Sequence, residues 1–149
     1  MKLKLVLSAT ASALVALALV CAPAFQANAK PVDVKTLYKI ETKNAETKKS
    51  KTASVGFSII LTKAGTKVHP QAPFRCTVTP SKGAKADKSK LGHDDKKVAK
   101  DKKSVAVAVG VKSDTAGSHT VTLDCSFFVC TKDICARTTE KVVAKATVK

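Results

Sequence analysis

Apolar and polar residues alternate along much of the chain after residue 35, which is the pattern of half-buried β-strands. In the run at 104–112, every second residue is valine, and the residues between them are mostly small. The segments that predict strands in this way are 36–42, 52–62, 74–80, 104–112, 118–130 and 138–149. Short strands without a helical repeat predict an all-β fold. Their number and the chain length favour an immunoglobulin-like antiparallel β-sandwich, although the tryptophan typical of antibody domains is absent.

One long segment, residues 80–104, lacks the alternation. Its stretch 81–103 contains nine lysines and four aspartates, together with two glycines. This composition offers little apolar surface to bury and predicts a solvated, mobile loop. An acidic partner or an anionic surface is the alternative reading of the same charges.

The N-terminal segment has the composition of an export signal. Lys2 and Lys4 precede a long apolar run, and Ala27-Asn28-Ala29 supplies an A-x-A cleavage pattern. We therefore expect residues 1–29 to be a cleaved signal peptide and residues 30–149 to be one exported domain, most simply in a bacterial periplasm. Nothing after residue 29 is apolar enough to predict a membrane span.

The net charge of +16 raises the question of nucleic-acid binding. Such sites combine basic residues with aromatic stacking platforms, but this chain has one tyrosine, no tryptophan and only two arginines. The composition therefore argues against a nucleic-acid partner. No feature indicates an oligomer, and a monomer is expected.

Four cysteines remain after removal of the signal, and an even number in an oxidising compartment predicts two disulfides. Cys76 lies on the apolar face of the strand at 74–80, and Cys125 lies on the apolar face of the strand at 118–130. Two inward cysteines on separate strands predict a buried structural bridge. By the loop-entropy model, closing this loop would stabilise the fold by about 4 kcal/mol.

Cys130 and Cys135 form the second expected pair. Cys130 ends a strand on its polar face, and Cys135 follows across Thr131-Lys132-Asp133-Ile134. So short a loop gains only about 2 kcal/mol by the same model. An exposed bridge of this kind is either a hairpin staple or a reducible, redox-active pair, and the C-x4-C spacing leaves both alternatives open.

The stretch SFFVCTKDICARTTEKVVA, residues 126–144, resembles the end of the N-terminal periplasmic domain of DsbD, the thiol:disulfide interchange reductase. The resemblance implies an immunoglobulin-like fold and assigns Cys130 and Cys135 as a redox pair, with Cys135 forming the mixed disulfide. It also implies thiol or disulfide partners of the thioredoxin-like kind. The chain departs from the family in lacking an aromatic cap loop, so Phe128 is the residue expected to shield the pair.

Other chemistry has little support in the sequence. His69, His93 and His119 lie in or beside expected loops, and none stands at metal-ligand spacing from a cysteine. We therefore expect no metal site and no cofactor. Two functions stay open: a periplasmic thiol-disulfide exchange domain that uses Cys130 and Cys135, and a non-catalytic immunoglobulin-like binding or accessory module with two structural disulfides.

Overall fold

Eleven β-strands and two short 3-10 turns make up residues 32–149, the part of the chain that the computed structural model describes. The strands are β1 Tyr38–Lys43, β2 Ala45–Thr47, β3 Thr52–Leu61, β4 Lys67–Val68, β5 Arg75–Pro80, β6 Ala84–Ala86, β7 Lys90–Leu91, β8 Lys96–Val98, β9 Ser104–Ser113, β10 Gly117–Cys130 and β11 Cys135–Val148. The turns are Val34–Leu37 and His93–Asp95. The expected signal peptide lies outside the described residues. Within those residues, no helix has the length and apolar character needed to cross a membrane.

Two sheets share one apolar core, so the expected all-β sandwich is confirmed. The first sheet has the order β1-β3-β9-β6, and β8 also pairs with β9. The second has the order β2-β11-β10-β5-β7, and β4 also pairs with β10. All pairs are antiparallel except β2 with β11, which is parallel. The likeness to the immunoglobulin fold is accordingly a broad one.

The core follows from the alternation of the four long strands. In β3, β9, β10 and β11 every second side chain points inward, and the largest fully buried side chains include Phe57, Ile59, Leu123 and Phe127. Full burial of one such side chain contributes about 1.5–3 kcal/mol. The six strands that the alternation predicts correspond to β1, β3, β5, β9, β10 and β11, and most of their ends agree within two residues.

The pairing of β3 with β9 depends on a glycine. A Cβ atom on Gly56 would lie 1.9 Å from the backbone oxygen of Val107, well inside van der Waals contact. The strands can approach in this register only because residue 56 has no side chain.

The segment 80–104, which the sequence predicts to be a solvated, mobile loop, takes part in both sheets. It contains β6, β7 and β8, which pair with β9 and β5. Ala84 and Leu91 are buried in the core, and Asp87 accepts a hydrogen bond from the backbone N–H of Gly110 at 3.1 Å. Strands of two or three residues are too short for alternation to reveal, which is why the lysine-rich composition predicted a loop. The mobility of the segment stays a prediction.

Strands β10 and β11 form a long hairpin that carries the second cysteine pair. They pair over their full length, from Gly117 with Val148 to Cys130 with Cys135. The connection 131–134 is closed by the N–H of Thr131, which donates to the carbonyl of Ile134 at 2.8 Å. This pairing extends β11 to Cys135, three residues earlier than the alternation at 138–149 predicts.

Candidate functional site

The disulfide between Cys76 and Cys125 lies inside the sandwich. The two residues are directly opposite each other in β5 and β10, and each is 3% exposed. Leu91 of β7 is the partner of Cys76 on its other side. The bridge therefore links neighbouring strands of one sheet, with core side chains around it.

The disulfide between Cys130 and Cys135 closes the β10–β11 hairpin. These residues are also directly opposite each other, and they are only 5 positions apart in sequence. The expectation that the pair is exposed holds only for Cys135, because Cys130 is 0% exposed. At this end of β10, β4 lies alongside in the same sheet and pairs with Val129 and Cys130.

His69, which directly follows β4, lies beside the hairpin disulfide, although its sequence position gave no sign of a contact with the cysteines. One of its ring nitrogens and the sulfurs of Cys130 and Cys135 all lie within 4.8 Å of one another. The backbone N–H of His69 donates to the carbonyl of Phe128 at 2.9 Å. No sequence spacing reveals this contact, because the pairing of β4 with β10 brings together residues far apart in the chain.

The ring of His69 is held in a fixed orientation. Its Nδ1 accepts hydrogen bonds from the backbone N–H groups of Ala72 at 2.8 Å and Gln71 at 3.2 Å. A nitrogen that accepts carries no proton, so the neutral ring carries its proton on Nε2.

His69, Cys130 and Cys135 could bind a soft metal ion only after reduction of the disulfide. Metal binding requires thiolates, and both sulfurs are bonded to each other here. The oxidised protein therefore offers no thiolate ligand at this place.

The other histidines lie elsewhere. His93 begins the turn His93–Asp95, where Asp95 pairs with Lys88 and accepts from the N–H of Gly92. The hydrogen bond from Lys88 holds the pKa of Asp95 below its usual value. His119 is buried, and its Nε2 lies 3.0 Å from the carbonyl oxygen of Thr115.

Phe128 and Arg137 form the pair of residues next to the hairpin disulfide on the outer face of the second sheet. Phe128 is half-buried, and with Arg137 it lines a pocket of about 250 Å³ whose other walls are Pro73, Arg75 and Ser126. The Nε of Arg137 donates to Ser126 Oγ at 2.7 Å. The expected shielding of the cysteines by Phe128 stays a prediction.

Comparisons with known proteins identify no relative by sequence. No family model matches the chain, and no curated protein matches it. Among solved structures, the chain is similar to AggA, the major subunit of aggregative adherence fimbriae type I from Escherichia coli, with 14% identity and a TM-score of 0.40 over 75% of this chain and 94% of that one.

Two further structures have the same degree of likeness. Domains 4 and 5 of the S-layer protein SbsC have 15% identity and a TM-score of 0.39 over 74% of this chain and 50% of theirs. WR4, a Caenorhabditis elegans member of the MSP family, has 6% identity and a TM-score of 0.38 over 76% and 98%. Scores this low carry no argument about function. None of the three structures is a DsbD domain, and the resemblance to DsbD stays an expectation from the sequence.

Proposed function

We propose that the chain is an exported, non-catalytic immunoglobulin-like module that binds another protein and is stabilised by two structural disulfides. The observation that carries this proposal is the placement of the four cysteines. Both bridges join directly opposite residues of neighbouring strands, and three of the four cysteines are buried. A bridge in such a position stabilises a hairpin or a sheet, and a reductant has poor access to the three buried cysteines.

The expected gain in stability differs between the two bridges. The bridge from Cys76 to Cys125 spans 49 positions, and the loop-entropy model assigns it about 4 kcal/mol. The bridge from Cys130 to Cys135 spans 5 positions, which corresponds to about 2 kcal/mol. For a domain of this size, both values are a large part of the total free energy of unfolding.

Export of the protein is consistent with two structural disulfides. Structural disulfides persist in oxidising compartments such as the bacterial periplasm or the cell surface. The basic start, apolar run and A-x-A pattern of residues 1–29 support a cleaved signal, which N-terminal sequencing of the secreted protein tests directly.

Thiol-disulfide exchange is the second candidate function, and one observation favours it: Cys135 is exposed and has a histidine ring close to its sulfur. In this reaction, the thiolate of a thioredoxin-like partner attacks the Cys135 sulfur and releases Cys130 as a thiolate. The partner's second thiolate then attacks the mixed disulfide, so the partner ends oxidised and Cys130 and Cys135 end reduced. The burial of Cys130 opposes this route, because an apolar environment disfavours the thiolate.

A trapping experiment separates the two functions. The Cys130→Ala variant leaves Cys135 free to form a mixed disulfide with a partner in periplasmic extract, and Cys76→Ala, which frees Cys125 in the core, is the matched control. We expect Cys130→Ala to capture no specific protein and both variants to melt at lower temperature than the wild type. Capture of a thioredoxin-like protein by Cys130→Ala alone would establish the exchange function instead.

A further inference from the structure

Arginine is rare in this chain and occurs in one place. Of 27 lysine and arginine residues, only Arg75 and Arg137 are arginines. They lie on different strands, 62 positions apart in the sequence, yet both line the 250 Å³ pocket beside the hairpin disulfide. In a protein whose solvated surface uses lysine almost throughout, this convergence points to a role that lysine does not fill.

The sheet register sets the two guanidinium groups on one face. Arg75 of β5 is directly opposite Ser126 of β10, and Arg137 of β11 is directly opposite Phe128 of β10. Residues opposite each other share a face, as do residues two apart along a strand. All four side chains therefore project outward from the same patch of the second sheet.

Neither arginine has an acidic partner within the part of the chain that the structure describes. The three ion pairs among residues 32–149 are all made by lysines. The nearest acid along β10 on this face is Asp124, which stands opposite Lys141. Arg137 uses its Nε on Ser126, so its terminal amino groups are free of hydrogen bonds to the described residues.

We propose that this pocket binds a side-chain carboxylate from an acidic segment of the partner protein. The inference rests on the proposed binding function and names the chemistry of its site. A guanidinium group presents two parallel N–H donors that match the two oxygens of a carboxylate, a geometry that an ammonium group does not have.

The size and walls of the pocket favour a carboxylate over a larger anion. Pockets that enclose a whole drug-sized ligand measure about 300–1,000 Å³, so a volume of about 250 Å³ suits one functional group. Two of its five lining residues, Pro73 and Phe128, are apolar and can contact the methylene groups of a glutamate. A phosphate would need more donors, but the backbone N–H groups of a central strand such as β10 are used in the sheet.

The test must separate this site from the general attraction of a chain with net charge +16. The probe is a fluorescent, C-terminally amidated peptide of alternating glutamate and alanine, titrated at about 150 mM salt, where the Debye length is about 8 Å. The variant R75A/R137A removes two positive charges. The variant K39A/K43A removes two exposed charges from β1 of the other sheet and is the matched control. The variant R75K/R137K keeps both positive charges but removes the paired N–H donors of the two guanidinium groups.

We expect R75A/R137A to weaken peptide binding at least tenfold and R75K/R137K at least fivefold, whereas K39A/K43A changes it less than twofold. Equal losses in R75A/R137A and K39A/K43A, or wild-type affinity in R75K/R137K, would overturn the carboxylate site and leave the binding function intact. Inorganic phosphate that displaces the peptide better than acetate would also overturn it, as would tighter binding to anionic lipid vesicles. All variants should melt within a few degrees of the wild type, because the substituted side chains are exposed.

Discussion

The replacement of Tyr38 by phenylalanine tests the polar contact at the edge of the core. The ring of Tyr38 is 5% exposed and packs edge-on against Phe127, with ring centroids 5.5 Å apart. Its hydroxyl donates to Glu140 Oε1 at 2.6 Å and lies 2.8 Å from Thr138 Oγ1. The phenol has a single proton, so Thr138 must be the donor in the second contact.

The expected cost of Tyr38→Phe is about 2 kcal/mol. The variant keeps the ring contacts but leaves the buried hydroxyl of Thr138 without its acceptor, and an unpaired buried polar group costs about 1–3 kcal/mol. Glu140 loses less, because it is half-buried and Lys35 lies 3.6 Å away. For a domain of this size, the melting temperature should fall by roughly 8 °C.

The same contact predicts a signature at high pH. Burial and the hydrogen bond to Glu140 raise the pKa of Tyr38 to about 12, from 10.0 for a free phenol. Since the folded pKa is the higher one, this contribution to stability is complete below pH 10 and is lost as the pH rises through about 12. The stability advantage of the wild type over Tyr38→Phe should therefore shrink between these two values.

Tyr38 is the single tyrosine of the chain, so the ultraviolet absorbance of phenolate reports on it alone. In the folded protein the absorbance should rise near pH 12, and in the urea-unfolded protein near pH 10. Titration of the folded protein near pH 10, or a cost of Tyr38→Phe below about 0.5 kcal/mol in urea unfolding, would refute this account of the contact.

Two further substitutions test the packing. Leu91→Ala should lower the free energy of unfolding in urea by about 2–5 kcal/mol, because Leu91 is buried between the sheets. Lys90→Ala is the exposed control. Equally small effects of the two substitutions would mean that this part of the lysine-rich segment does not support the core. Gly56→Ala should cost about 3 kcal/mol or more, because the added methyl group would meet the backbone of β9. Gly92→Ala has open space around it and should stay near neutral, so a tolerated Gly56→Ala would show that the β3–β9 register is wrong.

The sequence predicts the long strands well because each of them has one face in the core and one in solvent. The four valines of β9 repeat at every second position, and a slip by one residue would turn all of them out of the core. The short strands are not predicted, because each of them has too few residues to show an alternation. In β7, Leu91 is the one residue that enters the core, and a single apolar residue has no period.

The sequence predicts which face of its strand each of three cysteines occupies, but not which residues from other strands lie near them. Strand parity places Cys76 and Cys125 together on the inner face, because both belong to alternating strands. It also places Cys130 on the outer face, but it cannot tell that this residue is buried and lies beside β4. The position of His69 and the meeting of the two arginines depend on the same long-range pairing, which no local pattern in the sequence encodes.

The most direct test of the structural role of the disulfides is the reduction potential of the Cys130–Cys135 bridge. The folded protein would be equilibrated in dithiothreitol redox buffers, alkylated, and analysed by peptide mass spectrometry, with the Cys76–Cys125 bridge as the internal reference. A hairpin staple with a buried sulfur should have a potential below about −300 mV, in the range of structural disulfides. A potential between about −270 and −120 mV, with the fold intact, would place the bridge among the oxidoreductases and contradict the account.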